Sequence, residues 1–343
     1  MSDGDTPPGE RLRDLLDGYR VTQAISAAVT LGVPDGVAGD GRTVAALAGA
    51  TGTRPAPLLR LLRALAGLGL VAAVPGGDGD GDAVFRLTPL GELLRSDVPG
   101  SLAGWAAFVG RPYHWEAWGD LARSVRTGET AFDASHGESV WTWRARDPEE
   151  SRAFDRAMGT IAAAVSVRLA ERYDFGRFAT VADVGGGDGT LLAAVLARHP
   201  GVRGVLLDLP HVVAAAPTTL AAAGVADRCR VVAGSFFDGV PPGCDAYLMK
   251  SILHDWDDAT AAAILGRVRE GAPEGTVVVV ERVLADAAPG PSATLSDLNM
   301  LVMTGGRERT LTEWRTLAGN AGLAVTATTD LGLGWHAIEA APA

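Results

Sequence analysis

In VADVGGGDGTLLAAVLARHP, residues 181–200, a β-branched apolar run breaks into Gly185, Gly186, Gly187 and Gly189 and resumes as an alanine- and leucine-rich helix. A strand that turns through glycines into a helix lets backbone N–H groups approach a ligand closely, so the stretch reads as a cofactor-cradling loop. Its spacing from Asp183 is D-x-G-x-G-x-G. The dinucleotide fingerprint G-x-G-x-x-G fails in both registers, because Thr190 and Leu192 stand where its last glycine would fall. A second strand-like run, VLLDLPHV, ends on Asp208, 21 residues after Gly187. A carboxylate there can accept hydrogen bonds from both hydroxyls of a ribose, which excludes a 2′-phosphate and leaves NAD or S-adenosylmethionine. The competing reading of Asp208 is a cap on a helix starting near Pro210.

His254 stands in ILHDWDD, just past the apolar run DAYLMK that ends on Lys250. That is the carboxyl edge of a strand, where open α/β sheets bind ligands. An ordinary pKa of about 6.5 suits an imidazole there to take a proton near neutrality. The other five histidines lack this placement; His199 and His211 read as helix-end or surface residues. Glu281 closes the very apolar TVVVVE, where a carboxylate is costly without a partner. Glu308, in GGRERT, reads either as such a partner or as a solvated charge between Arg307 and Arg309. HDWDD could also be a metal cluster, but Asp257 and Asp258 open the helical run ATAAAILGRVRE, where carboxylates offset the helix dipole. No metal is expected.

The elements that must hold these groups are visible in the periodicity. Beyond Ala179, apolar runs TVADVG, GVLLD, CRVVAG, DAYLMK and TVVVVERV alternate with helical segments, the pattern of a parallel sheet covered on both faces. The last stretch, LAVTATTDLGLGWHAIEA, predicts an antiparallel hairpin. Residues 101–173 are mostly helical and rich in tryptophan, with Trp105, Trp115, Trp118, Trp141 and Trp143. Phe154 and Met158 are four apart and share a helix face, either as core or as the lining of a flat apolar site. Asn299, Met300 and Met303 in SDLNMLVMTGG carry the same two readings, since flexible thioethers suit a planar aromatic ligand and a core equally.

The first hundred residues have a different grammar. TVAALAGATGTRPAPLLRLLRALAGLGLV reads helix, turn, helix, followed by the short strands VAAV and AVFRLT around the tip PGGDGDGD, a winged-helix pattern. DNA binding is disfavoured: leucines at 58, 59, 61, 62, 65 and 68 leave Arg60 and Arg63 on a narrow stripe, so this helix is expected to be buried within the domain or against a partner chain. The acidic tip fails as an EF-hand loop, with Ala83 at the glycine position and Pro89 at the closing glutamate. The opening helix adds Leu12, Leu15, Leu16 and Tyr19 at helical spacing, more apolar surface than a monomer covers.

Bulk properties fit two globular domains: 343 residues, 47% of them hydrophobic. A net charge of −11 and pI near 5.0 argue against nucleic acid as a partner. The two cysteines, Cys229 and Cys244, read as buried thiols in a reducing compartment. MSDGDTPPGE lacks the features of a signal peptide and no apolar run approaches a membrane span, so no membrane partner and a cytoplasmic location are expected.

Residues 181–335 resemble the plant-type small-molecule O-methyltransferases, the caffeate type and its bacterial polyketide-tailoring relatives, through DVGGGDG, DLPHV, AGSFFDGVP, LMKSILHDWDD, VVVVERVL and GGRERT. The amino-terminal half is similar to the same family's. The resemblance implies an α/β fold: a Rossmann-like class I methyltransferase sheet over 174–343, an α-helical winged-helix dimerisation domain over 1–100, and a helical linker over 101–173 that contributes to an acceptor pocket. It implies S-adenosylmethionine as cofactor, S-adenosylhomocysteine as product, a phenolic, polyketide-type acceptor, and a homodimer through the amino-terminal domain. Position by position, Gly185, Gly187, Asp208, Leu209, Ser235, Phe236 and Lys250 would hold the cofactor, with Asp208 on the ribose and Ser235 and Phe236 at the adenine. Ser235 departs from the family, which has aspartate there, and replaces a charge-assisted contact with a hydroxyl. His254 would be the general base, flanked by Glu281 and Glu308, and Phe154, Met158, Asn299, Met300 and Met303 would face the acceptor. Two other functions compete: a hydroxylase or decarboxylase that retains the cofactor on this scaffold, and a winged-helix DNA-binding regulator.

Overall fold

The computed structural model describes residues 7–74, 83–287 and 290–343. The chain forms two compact units, one of residues 1–115 and 149–161, the other of residues 116–148 and 162–343. The long helix Pro148–Arg172 contributes residues to both.

In the first unit, helices Pro8–Thr30, Val44–Thr51 and Pro55–Gly67 precede the strands Val71–Val74 and Val84–Leu87. Gly52 stops the second helix in a left-handed conformation, φ 64°, and Pro55 opens the third. The two strands pair antiparallel, and Val84–Leu87 also pairs with Arg42–Thr43, so the winged-helix pattern is present. Its tip, residues 75–82, on which the calcium reading fell, lies outside the described residues. The leucine-rich helix is buried within its own domain, the first of its two readings. Leu58, Leu62 and Leu65 are buried in the unit's own core with Leu47 and Phe85, and Leu59, Leu61 and Leu68 are packed against that core. The helix meets its neighbours on several sides, so its leucines are not the unpartnered surface. That surface is on the first helix, where Leu15 is 71% and Leu16 66% exposed, beside exposed Leu12 and Tyr19.

The large sheet of the second unit has seven main strands, numbered in chain order: β1 Thr180–Val184, β2 Arg203–Asp208, β3 Cys229–Ala233, β4 Ala246–Lys250, β5 Thr276–Leu284, β6 Leu323–Gly332 and β7 Trp335–Pro342. Their order is β6-β7-β5-β4-β1-β2-β3, and the two-residue strand Arg309–Thr310 pairs beside the end of β5. All neighbours pair parallel except around β7, which runs antiparallel to β5 and β6. The central strands β1, β2, β4 and β5 are largely apolar on both faces because each face is covered. Val181, Leu206, Leu248 and Val278 meet helix Thr190–Arg198 on one side; Ala182, Leu207, Met249 and Val277 meet helices Asp258–Gly271 and Leu311–Asn320 on the other. Strand order reverses between β1 and β4, which opens a crevice at their carboxyl ends. Gly185, Asp208, Lys250 and Glu281 all stand at or near that edge. Both cysteines are free thiols. Among the described residues no helix is long and apolar enough to cross a membrane.

Candidate active site

The glycine loop leaves β1 with the N–H groups of Gly185 and Gly186 donating to the Leu207 carbonyl at 2.8 and 3.3 Å. Gly185 has φ 72°, and a Cβ there would run into Ile252, so only glycine fits. Gly187, with φ 64°, has nothing within 4 Å of where its Cβ would stand, which leaves its backbone open to a ligand. Its N–H donates to Asp208 Oδ2 at 2.8 Å, and the Leu209 N–H donates to Oδ1 at 2.7 Å. Each carboxylate oxygen therefore keeps a lone pair for a ribose hydroxyl. No helix starts at Pro210; the next helical turn begins at Val213, so Asp208 is not its cap. Burial raises the Asp208 carboxyl, opposed by these two backbone hydrogen bonds.

Phe236 packs beside the Gly185 turn, and Leu209 is exposed at the rim of the crevice. Ser235 accepts the Phe237 N–H at 3.2 Å, so its oxygen is partly occupied. Lys250 donates to Ser251 Oγ at 3.2 Å, and its ammonium lies 5.4 Å from the centre of the Trp335 ring. Burial pushes the ammonium pKa down, opposed by Glu281 and Asp183. Asp183 is buried with Oδ2 unpartnered, and burial pushes its carboxyl up to about 7. Open glycine backbone beside a two-oxygen carboxylate acceptor fits the ribose of a nucleoside cofactor.

Past β4, Ser251 takes a left-handed φ of 55° and turns the chain into the short 3-10 helix Leu253–Asp255. That turn aims the N–H groups of Ile252, Leu253 and His254 at one oxygen, Glu281 Oε1, at 3.0, 3.0 and 3.4 Å. Glu281 Oε2 lies 3.5 Å from His254 Nδ1. Glu308 Oε1 is closer, 3.2 Å from Nδ1, and also accepts the Ser296 hydroxyl at 2.7 Å. With Nδ1 engaged, Nε2 is the outward ring nitrogen, 3.8 Å from Asp255 Oδ1. The His254 side chain is 14% exposed; Glu281 and Glu308 are fully buried.

Burial alone would lower the imidazole, but Glu281, Asp255 and Glu308 outweigh it and push His254 up to about 10. Burial raises Glu281 to about 7 against the pull of His254. Burial would raise Glu308 as well, yet its hydrogen bond to His254 holds it below the usual carboxylate range. Asp255 is raised to about 6 by burial, opposed by His254 and Arg144.

His254, Glu281 and Glu308 offer atoms within 4.8 Å of one another, close enough for a metal. Glu281 Oε1 is already taken by three N–H groups, and Glu308 Oε1 by a hydroxyl and the ring. Asp257 caps the following helix through the Thr260 N–H, and Asp258 pairs with Arg309, so neither joins the His254 cluster.

The residues expected at the acceptor fall in different units. Asn299, Met300 and Met303 lie on helix Pro291–Met303 of the second unit, with both methionines buried and Asn299 Oδ1 accepting the Trp118 indole N–H at 3.0 Å. Phe154 and Met158 belong to the first unit, where Phe154 meets Phe108 edge-on at 5.8 Å. Two features were missed in the sequence: Asp255 beside Nε2, and Arg309, fully buried behind the His254 loop. The charged run RER gave a signal, but it reads equally as solvated.

A doubly wound sheet with an antiparallel β7, and a glycine turn beside the Asp208 carboxylate at its carboxyl edge, fit a class I S-adenosylmethionine-dependent methyltransferase. Residues 118–324 match the O-methyltransferase domain and residues 13–97 the O-methyltransferase dimerisation domain. The chain belongs to this O-methyltransferase family and uses S-adenosylmethionine. It is 40% identical over 326 residues to the mitomycin biosynthesis 6-O-methyltransferase of Streptomyces lavendulae, covering 95% of this chain and 92% of that one. Against the O-demethylpuromycin-O-methyltransferase of Streptomyces alboniger it is 43% identical, covering 97% and 89%. A solved O-methyltransferase from neocarzinostatin biosynthesis, in complex with S-adenosylmethionine and 2-hydroxy-5-methyl naphthoic acid, aligns with a TM-score of 0.80 at 38% identity over 94% and 96% of the two chains. The aclacinomycin 10-hydroxylase of Streptomyces purpurascens is also related, 37% identical over 88% of this chain and 81% of that one.

Proposed function

We propose that this O-methyltransferase methylates a phenolic hydroxyl of an aromatic, polyketide-type natural product, with His254 as the general base. The observation that carries the reading is the pairing of His254 Nδ1 with Glu308 at 3.2 Å and Glu281 at 3.5 Å, which leaves Nε2 to meet an acceptor hydroxyl. A phenol ordinarily titrates at about 10, and the carboxylates bring the imidazole to about 10 as well. In the enzyme whose imidazole is neutral, a fraction that grows as pH rises towards 10, moving the proton from oxygen to Nε2 costs little, and the imidazolium that forms is held by two buried carboxylates. When bound, S-adenosylmethionine supplies an electrophilic methyl on a sulfonium. Asp208 would accept the ribose hydroxyls, Gly185 and Gly187 would let the backbone approach, and Leu209, Ser235, Phe236 and Lys250 would complete the enclosure. Asn299, Met300 and Met303, all on helix Pro291–Met303, would face a flat acceptor. The unpartnered leucines of the first helix, in a chain carrying the family's dimerisation domain, support a homodimer built on the amino-terminal residues.

The test is His254→Ala. Turnover is expected to fall by about 10²–10⁴-fold, while calorimetry finds affinity for S-adenosylhomocysteine nearly intact. Lost cofactor binding with unchanged turnover per bound cofactor would overturn the base assignment. Mass spectrometry of candidate phenols separates this reading from that of the hydroxylase relative: the product gains a methyl group rather than an oxygen.

A further inference from the structure

The charge of Arg309 is enclosed behind the His254 loop. Its side chain is fully buried, with the centre of the Trp314 ring 5.2 Å from the guanidinium carbon. Nη1 donates to the Leu253 carbonyl at 3.0 Å, Nη2 to the Trp256 carbonyl at 2.9 Å, and Nε to Asp258 Oδ1 at 2.8 Å. The planar fork thus spans the residues on either side of His254 and Asp255. Burying a guanidinium against carbonyls and a half-solvated carboxylate is poor practice for stability alone, because apolar side chains of similar volume serve a core as well or better.

A second contact holds the same segment. The Arg307 N–H donates to the His254 carbonyl at 2.8 Å. At Gly306 a Cβ would run into that carbonyl oxygen and the backbone of Asp255 and Trp256, so the glycine lets two backbones touch. Residues 306–309 therefore grip the carbonyl side of the loop, while Glu281 takes its N–H groups. Glu308 sits inside this grip, between Arg307 and Arg309, so the segment that fixes the loop also carries the carboxylate nearest the ring.

We infer that Arg309 is a positioning residue for proton transfer, clamping the backbone of residues 253–256 so that the His254 ring keeps its register on Glu308. Lysine cannot replace it, because a single ammonium does not reproduce a planar fork bridging two carbonyls and a carboxylate. The inference rests on His254 as the proton acceptor.

Arg309→Lys and Gly306→Ala disturb the clamp independently, the first by losing the fork and the second by pushing the backbones apart. With a hydroxynaphthoate acceptor in single turnover, each is expected to slow methyl transfer by about ten-fold or more, with S-adenosylhomocysteine affinity changed by less than about two-fold. The His254 imidazole ¹⁵N shifts, assigned by difference against His254→Ala, should move in both variants without any acceptor present. Placed in a His254→Ala background, the same substitutions should leave the residual rate nearly unchanged, because a residue acting through His254 has nothing left to position. A folded variant with wild-type rate and shifts overturns the inference. So does a residual rate that falls again by the same factor, which marks a general structural defect, or failure of both variants to fold. If His254→Ala itself keeps the wild-type rate, the proton-acceptor reading is what fails.

Discussion

Replacing Glu308 by glutamine removes one negative charge from beside the imidazole and keeps an oxygen that can accept from Nδ1–H and Ser296. The two charges approach to 3.2 Å. At an effective dielectric near 20 that distance corresponds to about 5 kcal/mol between point charges. Both charges are spread over two atoms, and the measured span for one carboxylate beside a basic group is about 1 to 3 pH units. Glu281 and Asp255 remain in place, so His254 should fall from about 10 without reaching its ordinary value of about 6.5.

The sign follows from protonation. In the free enzyme the imidazole holds its proton at neutral pH, so kcat/KM is expected to rise with pH up to about 10. In Glu308→Gln that rise should end about 1 to 3 pH units lower. The plateau should also drop, because the imidazolium formed during transfer has lost a partner. Initial rates from pH 6 to 10.5 measure both effects, and NMR titration of the imidazole measures the pKa directly. The acceptor's own ionisation adds a limb common to both enzymes, so their difference isolates His254. A folded Glu308→Gln enzyme whose rising limb does not move, or moves up, would refute the electrostatic account of the base.

Asp208→Ala should weaken S-adenosylhomocysteine by about 1.5–3 kcal/mol, the range for hydrogen bonds to a charged group; unchanged affinity by calorimetry would return Asp208 to a purely structural role. Gly185→Ala places a side chain at φ 72° against Ile252, which should cost at least about 1–2 kcal/mol in denaturant unfolding, and wild-type stability would show that the loop relaxes freely. Leu15→Asp with Leu16→Asp puts charge on the exposed face of the first helix and should convert the proposed homodimer into a species of 35.3 kDa in light scattering; a persistent dimer would place the interface elsewhere.

Much of the site was legible because its residues occur where local pattern changes. An apolar run that ends in glycine, aspartate or lysine marks the carboxyl edge of a parallel strand, and Gly185, Asp208 and Lys250 are read that way without a structure. What the sequence hides is long-range closure. The three N–H groups on Glu281 converge only because Ser251, an unremarkable serine in the sequence, adopts a left-handed turn. The run Arg307-Glu308-Arg309 looks like a solvated stripe, yet only Arg307 is exposed; the next two residues enter the interior behind a loop more than fifty positions earlier. The leucines at 58–68 read as buried either within the domain or against a partner, and the choice depends on how many sides of the helix meet neighbours. The opening helix was the better indicator, since Leu12, Leu15, Leu16 and Tyr19 share a face that the described unit leaves open.

The basicity of His254 also bears on which hydroxyls the site can use. Burial pulls an imidazole down, so the rise to about 10 is the work of three carboxylates, two of them fully buried. A group of that basicity exchanges a proton on nearly level terms with a phenol, whose pKa is about 10. Aliphatic alcohols are far weaker acids, and for them the transfer would be steeply uphill. More acidic phenols would arrive as phenolates and meet an imidazolium that already carries the proton, the same charge arrangement reached from the other side. With His254 in the proposed role, the cluster would favour aromatic over aliphatic hydroxyls before any contact with the acceptor's rings is counted. Shape selection by Asn299, Met300 and Met303 would act within that class.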